Sequence, residues 1–161
     1  MKLTSKGRYA VTAMMNLALQ TKGYTSNESH NEPRIVLTDI AERQNISLSY
    51  LEQLFASLRK ANLVTAVRGP GGGYSLSKPS SDISMAQILT AVDENIDFTC
   101  GNGASCSGDH DPCLTHSLWS NLSAELYRFL NEKSLEEVIK QPVSSEKVTM
   151  QDFSGIPIEL S

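Results

Sequence analysis

No stretch of the 161 residues stays apolar for the ~18 positions that a membrane-spanning helix needs, so no spanning segment is expected. The opening Met1-Lys2-Leu3-Thr4-Ser5-Lys6-Gly7-Arg8 spreads its charges and has no apolar block ending in a cleavage site, which argues against a signal peptide. Cysteine is scarce and odd in number: Cys100, Cys106 and Cys113 only. That argues against a disulfide framework, leaves reduced thiols or metal ligands, and makes the cytoplasm the expected compartment. The chain also lacks a dinucleotide fingerprint, a thioredoxin-type cysteine pair and any catalytic constellation, so an electron-transfer or redox enzyme is a weak reading. With 40% hydrophobic and 20% charged residues, most of it is expected to fold around a core. A domain of this size buries about 70% of the surface its unfolded chain exposes, which suffices without staples.

The net charge of −4 conceals a division. Residues 1–78 hold ten Lys/Arg against five Asp/Glu, and residues 79–161 hold four against thirteen. A basic half joined to an acidic half suggests one face for a polyanion and another for a different task.

A first helix is expected from about Ser5 to Thr21, with Tyr9, Ala10, Ala13, Met14, Leu17 and Ala18 on one face. Lys2, Lys6 and Arg8 crowd its start, where cations oppose the helix dipole unless an anion joins them. They are either solvated charges or part of a phosphate site. Residues 22–36 read as a polar loop. Two short helices follow, the first capped by Thr38 and carrying Ile40 and Ala41 inward, the second from about Leu48 to Ala61. Between them Asn45-Ile46-Ser47 makes a tight turn with a buried Ile. Leu51, Leu54, Phe55 and Leu58 form the buried stripe of the second helix, and Ser49, Tyr50, Glu52, Gln53, Ser57, Arg59 and Lys60 its open face. Helix, tight turn and helix with this spacing is a helix-turn-helix pattern. On the open face Glu52 either closes a capping box with Ser49 or accepts from cytosine N4. Gln53 suits adenine, and Ser49 a base or a phosphate.

A hairpin comes next: a strand over residues 62–67, the turn Arg68-Gly69-Pro70-Gly71-Gly72-Gly73, and a return over Tyr74-Ser75-Leu76. A hairpin directly after a recognition-type helix is a wing. Gly71 and Gly72 remove side chains where backbone approaches something closely, and Arg68 at the base of the tip suits a minor groove. No Lys-Ser/Thr and no helix follow, so the loop is not a phosphate cradle of the nucleotide-binding type.

Ser84-Met85-Ala86-Gln87 is a capping-box pattern opening a short helix with Ile88, Leu89 and Val92 inward. A long helix is expected from Asp111-Pro112 to about Glu132. Leu114, Leu118, Trp119, Leu122, Leu126, Phe129 and Leu130 are expected to line one side of it, a stripe wide enough to meet a second copy of the chain. Ser134-Leu135-Glu136-Glu137 starts a last short helix. The tail from Gln141 is polar and expected to be disordered.

The three cysteines sit among Gly, Asn, Ser and Asp rather than apolar residues, with His116 three positions past Cys113. At i and i+3 of one helix Cys113 and His116 point the same way. A helix N-terminus lowers thiol pKa values and favours the thiolate that binds metal. Structural zinc prefers paired ligands at short separations, and only the last pair has that spacing, whereas an iron–sulfur cluster accepts longer intervals. Zinc and a cluster both remain open on spacing, as do redox-reactive cysteines, and His110 rivals His116 as fourth ligand.

Four stretches resemble the IscR family of iron–sulfur cluster-responsive winged-helix transcriptional regulators of bacteria. They are Leu3-Thr-Ser-Lys-Gly-Arg-Tyr-Ala-Val-Thr-Ala-Met14, Ile46-Ser-Leu-Ser-Tyr-Leu-Glu-Gln-Leu-Phe55, Val67-Arg-Gly-Pro-Gly-Gly-Gly-Tyr74 and Cys113-Leu-Thr-His116, and the likeness covers roughly residues 1–140. The resemblance implies a homodimer on a double-stranded DNA operator. It implies a 2Fe–2S cluster held by Cys100, Cys106, Cys113 and His116, with iron–sulfur assembly proteins as cluster donors. It further implies repression of iron–sulfur assembly genes when the cluster is present, and a second class of DNA sites that does not require it. Loop 22–36 and the Cys106–Cys113 interval are longer than the family pattern, the latter by one residue. The expected fold is mainly α with a small β-hairpin wing. A winged helix-turn-helix domain would span 1–80, a cluster-binding loop and dimerisation helices (Leu118, Trp119, Leu122, Leu126, Phe129) 81–140, and a disordered tail 141–161.

Overall fold

The computed structural model describes residues 4–21, 34–94, 96–98 and 115–141. Helix α1 spans Ser5–Thr21 and buries Ala10, Ala13, Met14, Leu17 and Ala18, the apolar face its spacing dictates. Tyr9, expected with them, stands at the rim instead, its ring edge-on to Tyr50 at 6.0 Å between centroids.

Helix α2 (Leu37–Gln44) begins on Leu37, with Val36 extended before it and no side-chain cap. Thr38 therefore lies inside the first turn rather than capping it. The turn to α3 (Leu48–Lys60) is made by Asn45 in the left-handed region, φ 51° and ψ 46°, with Ile46 buried beneath it. Leu51, Leu54, Phe55 and Leu58 of α3 are all buried, worth roughly 1.5–3 kcal/mol each against exposure.

Asn62, at φ 56°, turns the chain out of α3 into strand β1 (Val64–Val67), which pairs antiparallel with β2 (Gly73–Leu76) from Val64↔Leu76 to Val67↔Gly73. A single 3-10 turn at Ser80–Asp82 leads to α4 (Met85–Ala91). There the expected capping box forms in full: Ser84 accepts from the Gln87 amide and Gln87 returns to the Ser84 amide.

Helix α5 is described over His116–Glu132, with Thr115 in the N-cap position. It thus begins later than the start expected at Asp111-Pro112; those two residues and Leu114 lie outside the described residues, as does the tail beyond Gln141. Helix α6 (Leu135–Lys140) is capped by Ser134, which accepts from the Glu137 amide. The end of α5 is stitched to the start of α4 by two backbone hydrogen bonds. Leu135 N–H donates to Ile83 O at 2.7 Å and Met85 N–H to Lys133 O at 2.9 Å. This seats Leu135, fully buried, in one core with Met14, Leu17, Ile40, Phe55, Ile83, Ile88 and Val92. The architecture is mainly α with a two-stranded antiparallel hairpin, the winged-helix arrangement the sequence led us to expect.

Candidate nucleic-acid interface and metal site

The recognition-type helix is positioned by its cap. Ser47 is extended (φ −62°, ψ 136°) and its Oγ accepts from Tyr50 N–H at 3.2 Å, which fixes where α3 starts. The capping box expected between Ser49 and Glu52 is thus absent. Ser49 lies in the first turn with its hydroxyl 3.1 Å from that of Ser47. Glu52 and Gln53 are exposed, and Glu52 makes no ion pair among the described residues, so its carboxylate is free for another partner. Tyr50 is half-buried against Tyr9 and joins α3 to α1. Arg59 and Lys60 close the last turn, where the helix dipole favours cations.

The wing carries Arg68, exposed directly after β1, then a tip folded by a hydrogen bond from Gly72 N–H to Gly69 O at 2.8 Å. That bond uses the Gly72 donor internally, whereas Gly71 faces open space. The wing has a further member that the sequence reading placed in a polar loop. Ile35 is buried (4% exposed) and exchanges both backbone hydrogen bonds with Tyr74, N–H to O at 2.9 Å and 2.8 Å. The exposed–buried–exposed alternation of Arg34-Ile35-Val36 is that of extended chain, which the adjacent apolar pair Ile35-Val36 does not show in sequence.

At the start of α1 the structure supplies an anion from within the chain. The Glu94 carboxylate, 9% exposed, accepts from Thr4 N–H at 2.9 Å, from Gly7 N–H at 3.1 Å and from the Thr4 hydroxyl. A Cβ on Gly7 would stand 2.9 Å from Glu94 Oε2, so glycine is what lets the carboxylate settle there. Burial pushes the Glu94 carboxyl up. The Thr4 hydroxyl, the Thr4 and Gly7 amides and the charge of Lys6 outweigh burial and hold it below the ordinary carboxylate value. The helix end read as a phosphate site is thus occupied, while Arg8 stays exposed beside it and Lys6 half-exposed.

Among the described residues every ion pair lies between residues 125 and 140. Lys6, Arg8, Arg34, Arg59, Lys60 and Arg68 make none, so the basic half keeps its field for a polyanion.

Of the expected metal ligands only His116 lies within the described residues. Cys100, Cys106, Cys113 and the rival His110 lie outside them, as does Lys2. No group of three His, Cys, Asp or Glu able to hold a metal occurs among the described residues. His116 is the first residue of α5, half-buried, and its imidazole has no hydrogen-bond partner among the described residues, so a ring nitrogen is free to ligate. Three thiols and an unengaged imidazole are donors suited to iron or zinc. The segment leading toward Cys100 is tied to the middle of α5, since Phe98 N–H donates to Ser123 Oγ at 2.9 Å and that hydroxyl meets Asp97 at 3.3 Å.

Helix α5 carries its apolar residues on two sides. Leu126 and Leu130 are half-buried toward the protein, whereas Leu118 (59% exposed), Trp119, Leu122, Tyr127 and Phe129 (56%) face outward.

The model of the Rrf2 family, iron-dependent transcriptional regulators, matches residues 3–141. The chain is 52% identical over 154 residues to the HTH-type transcriptional regulator IscR of Vibrio atlanticus, covering 95% of this chain and 83% of that one. It is 48% identical over 157 residues to a putative HTH-type transcriptional regulator of Haemophilus influenzae, covering 97% of each. Among solved structures, T. potens IscR superposes with a TM-score of 0.66 at 33% identity over 87% of both chains. CymR, the global cysteine regulator of B. subtilis, gives 0.67 at 30% identity, covering 86% of this chain and 96% of that one.

Proposed function

The chain belongs to the Rrf2 family of iron-dependent transcriptional regulators, and from that premise we propose a homodimeric, cytoplasmic repressor of iron–sulfur assembly genes that senses a 2Fe–2S cluster. DNA-binding regulation, a non-enzymatic role, follows from the family itself. No described helix is long and apolar enough to cross a membrane. In the proposal Cys100, Cys106, Cys113 and His116 hold the cluster, received from iron–sulfur assembly proteins. When bound, it supplies a redox-active group whose retention reports iron–sulfur supply. Residues 1–80 form the DNA-binding unit and residues 81–140 the cluster and dimer unit.

The observation that carries the reading is the bonded route between the two functions. Phe98 and Asp97 hold the segment before Cys100 against α5, and Glu94, a few residues earlier, grips the first turn of α1. Helix α1 in turn meets the recognition helix through Tyr9 and Tyr50. A change at the ligand loop therefore has a path of covalent links, hydrogen bonds and one ring contact to the helices that would present Arg8, Ser49, Tyr50, Glu52, Gln53 and Arg59 to DNA.

Anaerobic purification and absorption spectra test it. The wild-type protein is expected to be red-brown. Alanine at Cys100, Cys106, Cys113 or His116 should abolish or greatly weaken cluster retention, and His110→Ala should leave it nearly intact. A colourless protein containing zinc would overturn the cluster reading. Dependence on His110 with His116 dispensable would show that the longer Cys106–Cys113 interval has moved the ligand set.

A further inference from the structure

The run before α2 is built into the wing. Ile35 is locked to Tyr74 by two backbone hydrogen bonds, and its burial fixes the register, because a slip of one residue would send Arg34 or Val36 into the core. The return strand is shaped to receive this run. Gly73 sits at φ +146°, a conformation L side chains rarely adopt, and a Cβ there would stand 2.8 Å from Ile35 O and 3.1 Å from Arg34 Cβ. With Ile35 inward, Arg34 points outward, exposed, toward the wing tip. Its guanidinium Nη1 reaches Gly71 O at 3.5 Å, the outer limit of a hydrogen bond, and meets no carboxylate among the described residues. A Cβ on Gly69 or Gly71 would meet nothing within 4 Å, so on either side of the exposed Pro70 the tip is backbone facing open space.

We propose that Arg34 is a DNA-contacting residue of the two-stranded wing as extended by the Ile35–Tyr74 bridge, its guanidinium taking a backbone phosphate beside the site of Arg68. The inference rests on the DNA-binding role of the family. A weakly held planar cation over a bare glycine turn has both the reach and the geometry for bidentate phosphate contact. A single bond at 3.5 Å to one carbonyl leaves most of its donors free for that contact. The segment that feeds Arg34 into the wing lies outside both the helix-turn-helix and the hairpin. The contact thus comes from an element that neither motif includes.

The test measures the affinity of the full chain for a fluorescein-labelled mixed-sequence duplex of about 30 base pairs over about 50–200 mM salt. Each phosphate contact contributes about 0.9 to the slope of log affinity against log salt, or roughly eightfold in affinity near 0.1 M. Arg34→Ala should reduce the slope by that amount per bound protomer, and Arg34→Lys, which keeps the charge, should restore most of it. Thermal melting of each variant accompanies the titration, since a merely structural peg would lower the melting temperature and leave the slope alone. Should Arg34→Ala unfold, Arg34→Gln, which keeps a donor without the charge, decides in the same way. Wild-type binding with an unchanged slope in a folded neutral variant overturns the assignment of Arg34 alone. Wild-type protein without salt-dependent DNA binding overturns the DNA-binding reading itself.

Discussion

A carboxylate reaches across 90 positions of sequence at Glu94, where it grips the first turn of α1. Its folded-state value is lowered, so the stabilisation it supplies is complete above the ordinary carboxylate range and is lost as pH falls through the folded value. Acid titration of wild type and Glu94→Gln by thermal melting should show this. The wild type should lose stability steeply below about pH 4.5, while the amide variant should start lower at neutral pH and change less. Parallel curves would remove Glu94 from the account. Nothing in the local sequence singled out this residue. The stretch around it is polar, and its partners Thr4 and Gly7 meet it only in the folded chain.

The helix-turn-helix elements were legible because buried stripes repeat. Leu51, Leu54, Phe55 and Leu58 declare the inner face of α3 by spacing, and every one is buried. The caps of α4 and α6 form as expected, whereas Thr38 and Ser49 do not cap α2 and α3, because those ends depend on what precedes the helix. At α3 the left-handed Asn45 with buried Ile46 brings Ser47, read as part of the turn, rather than Ser49 to the N-cap. Likewise α2 starts on Leu37 because Ile35 is held by the wing, which leaves Thr38 in the first turn. The two roles then separate cleanly. Ser47→Ala should cost about 1 kcal/mol in urea unfolding and leave base preference unchanged. Glu52→Ala should relax discrimination in competition binding between related sites while leaving the unfolding midpoint near wild type. A destabilised Glu52→Ala with intact discrimination would return that residue to a structural role.

In the whole molecule the apolar stripe of α5, expected on one side, divides: Leu130 packs on the protein's own core, Leu126 is half-buried, and Leu118, Trp119, Leu122 and Phe129 stay outside. That outward set is what we propose a second copy covers. Leu122→Glu should convert a dimer to a monomer in sedimentation and weaken operator binding sharply, because a monomer holds one half-site only. A dimer that survives this change would move the interface elsewhere. The charge division and the wing were also legible, while the ligand set rested on resemblance, because spacing alone admits both zinc and a cluster. The stitching of Leu135 to Ile83 has a consequence for synthesis. The core around Met14 and Leu17 lacks one of its walls until Leu135 has left the ribosome, after the wing, the ligand loop and the long helix have all been made. At about 5–20 residues per second that delay is roughly ten seconds, during which the nascent chain carries its recognition helix without a finished core beneath it. The DNA-binding half therefore completes its core only when nearly the whole described chain has been made.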